Sequence, residues 1–138
     1  MHVVRFPVNK EAPFSFRNIG NLTMYIRSDY NDAQLIELSE KINPDIIFVS
    51  GWIDKTYLKI AKIFHTKIPT VISLDNHWKG TFKQQIARII GRFFIKSKFN
   101  YAWVPGQQQK NYALKLGFRE KEIFSGYYCA GSPRRADR

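Results

Sequence analysis

The stretch Pro69-Thr-Val-Ile-Ser-Leu-Asp-Asn-His-Trp-Lys-Gly80 decides how the rest of the chain is read. A short apolar, β-branched run ends abruptly at Asp75-Asn76-His77-Trp78 and gives way to the pattern of a basic amphipathic helix. An uninterrupted run of this kind is what a strand buried on both faces of a parallel sheet looks like. Ligands of open α/β sheets sit at the carboxyl ends of such strands. Asp75, Asn76, His77 and Trp78 are therefore expected at the mouth of any site. Asp75 or His77 suits a general base or a group that orients a sugar hydroxyl, and Trp78 offers a flat face for a sugar ring. The other reading is that Asp75 or Asn76 caps the next helix while Trp78 packs against the sheet. Both stay open on the residues alone.

On either side of this stretch the same alternation recurs. Asp45-Ile-Ile-Phe-Val-Ser50 reads as a buried strand that ends in Gly51-Trp52, with a helix over residues 53–64 before Ile68-Pro69. After the central strand come the longest helix (81–98), a strand at Asn100-Tyr-Ala-Trp-Val104, a helix from 107 to 116, and a last strand over 123–128. Gly117 fits the residue just past a helix end. Earlier in the chain, His2–Phe6 and Leu22–Ile26 read as strands around a loop, and Tyr30-Asn31-Asp32 supplies the cap of a helix with Leu35, Leu38 and Ile42 at helical spacing. Strand and helix alternating at short intervals predict an α/β fold, a Rossmann-like parallel sheet with helices on both faces. Residues 1–130 are expected to form one domain, incomplete at its start because the first strand has no lead-in. The polar end, residues 131–138, reads as a disordered tail, and the residues leave open whether it is a native or a non-native continuation.

Composition narrows the function classes. Twenty-two Lys and Arg against eleven Asp and Glu give a net charge of +11, which favours an anionic partner: nucleic acid, an anionic membrane or a phosphorylated substrate. No nucleic-acid-binding module is recognisable, so nucleic acid is not expected. One cysteine and three scattered histidines offer no metal-ligand spacing, and no metal is assigned. No apolar run is long enough to span a membrane, and the first twenty residues lack a secretory signal. The helix over 81–98 carries Phe82, Ile86, Ile89, Ile90 and Phe93 on one face. Arg88, Arg92 and Lys96 run along one flank of that face, with Lys83 towards the other. Such a helix either packs its apolar face on the core and leaves the charges solvated, or lies on an anionic membrane or binds phosphates.

Two other strand ends hold candidates. Gly51, Trp52 and Asp54 follow one strand: glycine permits close approach by a ligand and Asp54 can accept hydroxyl hydrogen bonds, or the three form a tight turn and a helix cap. Gly106 and Gln107 open a helix after another, where backbone N–H groups face a bound anion. The dinucleotide and P-loop glycine fingerprints are absent, so no nucleotide cofactor is expected of this chain itself. His65, at a helix end, reads as structural.

Taken together, Pro44-Asp-Ile-Ile-Phe-Val-Ser-Gly51, Ile68-Pro-Thr-Val-Ile-Ser-Leu-Asp-Asn-His-Trp78, Tyr101-Ala-Trp-Val-Pro-Gly-Gln107 and Tyr112-Ala-Leu-Lys-Leu-Gly-Phe118 with Ile123 resemble the N-terminal, acceptor-side domain of family-4-type glycosyltransferases, over roughly residues 2–129. These are two-domain GT-B enzymes. In the family the strand matching residues 69–74 commonly ends in a His with an aromatic three residues on; here Asp75 stands at the His position, Trp78 matches the aromatic, and His77 lies between. The resemblance implies sugar transfer from a nucleotide-sugar donor to a hydroxyl of a glycan or lipid-linked saccharide. Asp75 or His77 would lie near the reacting hydroxyls, with Gly51, Trp52, Asp54, Asn76, Trp78, Gly106 and Gln107 in substrate contact. It implies too that a donor-binding domain with a paired-Glu motif is missing, that the chain alone is inactive, and that the enzyme works in the cytoplasm, peripherally on the inner face of the membrane. The alternative is a solitary Rossmann-like domain that binds a polyanion, an anionic membrane or a partner protein through its basic face.

Overall fold

The computed structural model describes residues 1–7, 20–75 and 82–126, except the side chains at 83, 84, 87 and 90. It divides into two compact units, residues 1–44 and 45–138.

In the first unit, β1 (His2–Arg5) and β2 (Thr23–Ile26) pair in parallel, His2 beside Thr23 and Arg5 beside Ile26. The chain's amino group donates to the Asn21 carbonyl at 2.6 Å, and the Thr23 N–H donates to the Met1 carbonyl at 2.9 Å, so the pair is tied at its start. Helix α1 (Asp32–Ile42) begins in a capping box: the Gln34 N–H donates to Asn31 Oδ1 and the Asn31 N–H to Gln34 Oε1, each at 2.9 Å. It ends at Asn43 with φ 48°, a left-handed position that asparagine tolerates, before Pro44 forbids continuation.

The second unit is the α/β domain that the alternating pattern predicts, a Rossmann-like fold. Strands β3 (Ile47–Ser50), β4 (Thr70–Ser73), β5 (Tyr101–Val104) and β6 (Ile123–Ser125) form one parallel sheet in the order β3-β4-β5-β6. Helices α2 (Lys55–Phe64), α3 (Phe82–Lys96) and α4 (Gln107–Lys115) are the crossovers. Right-handed crossovers between strands laid down in sequence order stack their helices on the same face. The core agrees: Ile47, Val49, Ile72, Leu74, Ala102, Val104 and Ile123, which share one face by register, pack with Leu58 and Ala61 of α2, Ile95 of α3, and Tyr112 and Ala113 of α4. The other face carries none of these three helices. There Phe48 and Phe124 are 53% and 55% exposed, Phe48 lies 5.4 Å from Trp103, and Tyr101 lies 5.7 Å from Phe124.

Local chemistry explains the helix ends. Asp54 Oδ1 accepts from the N–H groups of Thr56 at 2.8 Å and Tyr57 at 3.1 Å, capping α2. Helix α4 closes as a Schellman turn: Gly117 has φ 95°, its N–H donates to the Leu114 carbonyl at 3.0 Å, and the Phe118 N–H donates to the Ala113 carbonyl at 3.2 Å. Helices α3 and α4 approach closely because Gly91 has no side chain; a Cβ there would lie 2.9 Å from a Leu116 methyl. That contact settles which side of α3 faces inward. Gly91 and Ile95 are buried, whereas Phe82, Ile89 and Phe93 are exposed. Of the two readings open for this stripe, packing on the core therefore does not hold for Phe82, Ile89 and Phe93.

Candidate functional site

The carboxyl ends of β3, β4 and β5 lie side by side because the register pairs Ser50 with Ser73 and Ser73 with Trp103. Three loops distant in sequence therefore leave the sheet at one edge. The Gly51 N–H donates to the Ser73 carbonyl at 3.0 Å, and the Leu74 N–H donates to the Trp103 carbonyl at 3.0 Å, which extends the ladder into the loops. Gly51 then turns away with φ 71°, a conformation that costs other residues roughly 1–2 kcal/mol. Asp75 is exposed, and its carbonyl accepts from Gln109 Nε2 at 3.2 Å, so α4 holds the loop after β4. Gly106 is the N-cap of α4, with no side-chain cap on the first turn, and Gln107 is exposed beside it. The Gln107 amide donates to Asn111 Oδ1 at 3.3 Å along the helix.

The sequence-selected residues thus divide. Gly51, Asp75, Gly106 and Gln107 lie on this edge. Trp52 packs edge-on to Tyr112, centroids 6.1 Å apart, as a half-buried neighbour of the core. Asp54 uses Oδ1 as the α2 cap. Asn76, His77 and Trp78 lie outside the described residues, as does the side chain of Lys83. Among the described residues no group of three His, Cys, Asp or Glu side chains could hold a metal ion. The edge offers one exposed carboxylate, amide groups and uncapped helix N–H groups, a set suited to hydrogen-bonding hydroxyls.

A second feature lies on the helical side. Between α3 and the turn after α4 runs a groove of about 610 Å³, charged by Arg88, Arg92, Lys115 and Arg119 and floored in part by Phe118. Among the described residues no carboxylate lines it. The stem of Arg92 lies against Gly117, where a Cβ would come within 2.6 Å of Arg92 Cγ, so this glycine makes room for the arginine. Among the described residues neither Arg88 nor Arg92 has an ion-pair partner. Lys96, the third member of the stripe, has one: its Nζ is 2.8 Å from Glu122 Oε2 and 4.8 Å from the Phe118 ring centroid. Glu122 also accepts from the Arg119 N–H at 2.8 Å and from Arg119 Nε at 2.8 Å. Burial alone would push this carboxyl up, but the hydrogen bonds from Lys96 and Arg119 bring it down to about 2.

Sequence reasoning found Arg88 and Arg92 but missed Lys115 and Arg119. Their signal was Gly117: a C′ glycine fixes the turn that brings residues two before and two after it to the same groove. Among the described residues no helix is long and apolar enough to cross a membrane. No protein-family model, curated protein or solved structure matches the chain.

Proposed function

We propose that the chain is the acceptor-side half of a GT-B glycosyltransferase, binding a glycan or lipid-linked saccharide at the carboxyl edge of β3–β5 while a nucleotide-sugar donor is held by another domain. The observation that supports this reading is the convergence of Gly51, Asp75, Gly106 and Gln107, from three separate loops, on one edge of a parallel sheet. Ligands of this fold class bind at such an edge. Asp75 is the described side chain best suited to accept a hydrogen bond from the acceptor hydroxyl.

The test is heteronuclear NMR of the full chain titrated with a panel of mono- and disaccharides, followed by assay with nucleotide sugars. Expected are saturable amide shifts at residues 51, 75, 106 and 107, reduced in Asp75→Asn, with no turnover by this chain alone. Shifts confined to another surface, no saturable shift with any saccharide, or efficient transfer without a second domain would defeat the reading. The basic groove supports a second reading, a polyanion-binding domain. Salt-sensitive binding of anions with no response to saccharides is its mark.

A further inference from the structure

Helix α3 turns an apolar stripe away from the core. Phe82, Ile86, Ile89 and Phe93, spaced four, three and four residues apart, share one face and are 79%, 42%, 71% and 79% exposed. Gly91 and Ile95, roughly half a turn round, are the buried side. A contiguous exposed apolar patch marks a surface that meets something apolar. Charge beside the stripe identifies the partner. Arg88 and Arg92, roughly a quarter to a third of a turn from the stripe, enter the groove with Lys115 and Arg119. Among the described lining residues of the groove none is acidic, although Glu122 beside it pairs with Arg119, and the whole chain carries +11. An apolar layer bordered by a dense plane of negative charge matches both features, and that is an anionic bilayer. Nucleic acid matches the charge but has no apolar layer to receive four large side chains. The helix has 15 residues and is about 22 Å long, so it would lie along the surface.

We infer that α3 is an interfacial helix for an anionic membrane. Phe82, Ile86, Ile89 and Phe93 enter the boundary between headgroups and acyl chains, and Arg88, Arg92, Lys115 and Arg119 take lipid phosphates in the groove alongside. This geometry is that of amphipathic helices lying in the plane of a bilayer. Gly117 contributes by holding the stem of Arg92 in the groove.

The full chain is sedimented with vesicles of phosphatidylcholine alone, or with about 30% phosphatidylglycerol, over a range of salt. The anionic vesicles should bind it, less so as salt rises, and the neutral ones much less. Phe82→Ser with Phe93→Ser should weaken partitioning at least about tenfold. Arg88→Gln with Arg92→Gln should weaken it about fivefold per charge. All four side chains are exposed, so thermal melts should match the parent chain. Equal binding to both vesicle types would overturn the proposal. So would serine variants that bind as tightly as the parent, because the stripe then takes no part. A third contrary result is a concentration-dependent dimer that the serine variants dissolve, which would make a second copy the occupant.

Discussion

Glu122 lets one electrostatic claim be tested with its sign and size worked out. Its carboxylate holds Lys96 of α3 and Arg119 of the turn before β6, linking two elements that the chain separates by 26 residues. In the folded protein its pKa falls from 4.5 to about 2. At about 1.36 kcal/mol per pKa unit, that drop corresponds to at most about 3 kcal/mol of stability. Arg119 is 69% exposed and solvent screens it, so about 2 kcal/mol is the better figure. Because the folded value is depressed, the contribution is fully present above pH 4.5 and is lost as pH falls from there towards 2. Glu122→Gln should therefore lower unfolding free energy by about 2 kcal/mol at pH 7, roughly 5–10 °C in melting temperature. Urea denaturation of both chains at pH 7 and near pH 2.5 reads the difference directly, and the gap should close in acid. A gap of the same size at both pH values would refute the electrostatic account and leave packing as the cause. No gap at pH 7 would show that the pair is worth nothing.

Two further substitutions separate structural from functional roles. Asp54→Ala should cost about 1 kcal/mol by removing the α2 cap, and Asp54→Asn should restore most of it; comparing saccharide-induced NMR shifts in the asparagine variant then shows whether the carboxylate also serves a ligand. Gly117→Ala should cost roughly 1–2 kcal/mol for the left-handed backbone and displace Arg92 from its seat. Urea denaturation measures the first effect and weaker binding to anionic vesicles the second; an alanine variant unchanged in both would contradict the role given to this glycine.

Much of the fold is legible in local pattern. Strands of a parallel sheet are short apolar runs, and each of β3, β4 and β5 is such a run closed by polar or glycine-containing residues, although only β4 is buried along most of its length and the edge strand β3 leaves Phe48 and Ser50 exposed. Asn31, Asp54 and Gly117 announce helix ends through chemistry that needs no tertiary context. The sheet-edge candidates at 51, 75, 106 and 107 follow because the carboxyl end of a strand can be read from sequence. The orientation of α3 cannot. Its apolar stripe is the more conspicuous face, yet the inward face is chosen by Gly91, whose missing side chain allows contact with Leu116. Periodicity records where apolar residues lie, not which side another helix can approach. The groove was hidden for a similar reason, since Lys115 and Arg119 join Arg88 and Arg92 only through the fold. Nothing in the sequence near Lys96 announces that Glu122 holds it.

The strand order of the second unit also bears on how the chain is made. β3, β4, β5 and β6 stand in the sheet in the order in which a ribosome releases them. Each new strand adds to the outer edge of what already exists, and none must insert between two partners that have met. Pairing distances along the chain stay at the length of one crossover, which keeps loop-closure costs modest. Such a sheet can grow vectorially during synthesis, with β4 and β5 each serving as a template for the next segment to emerge.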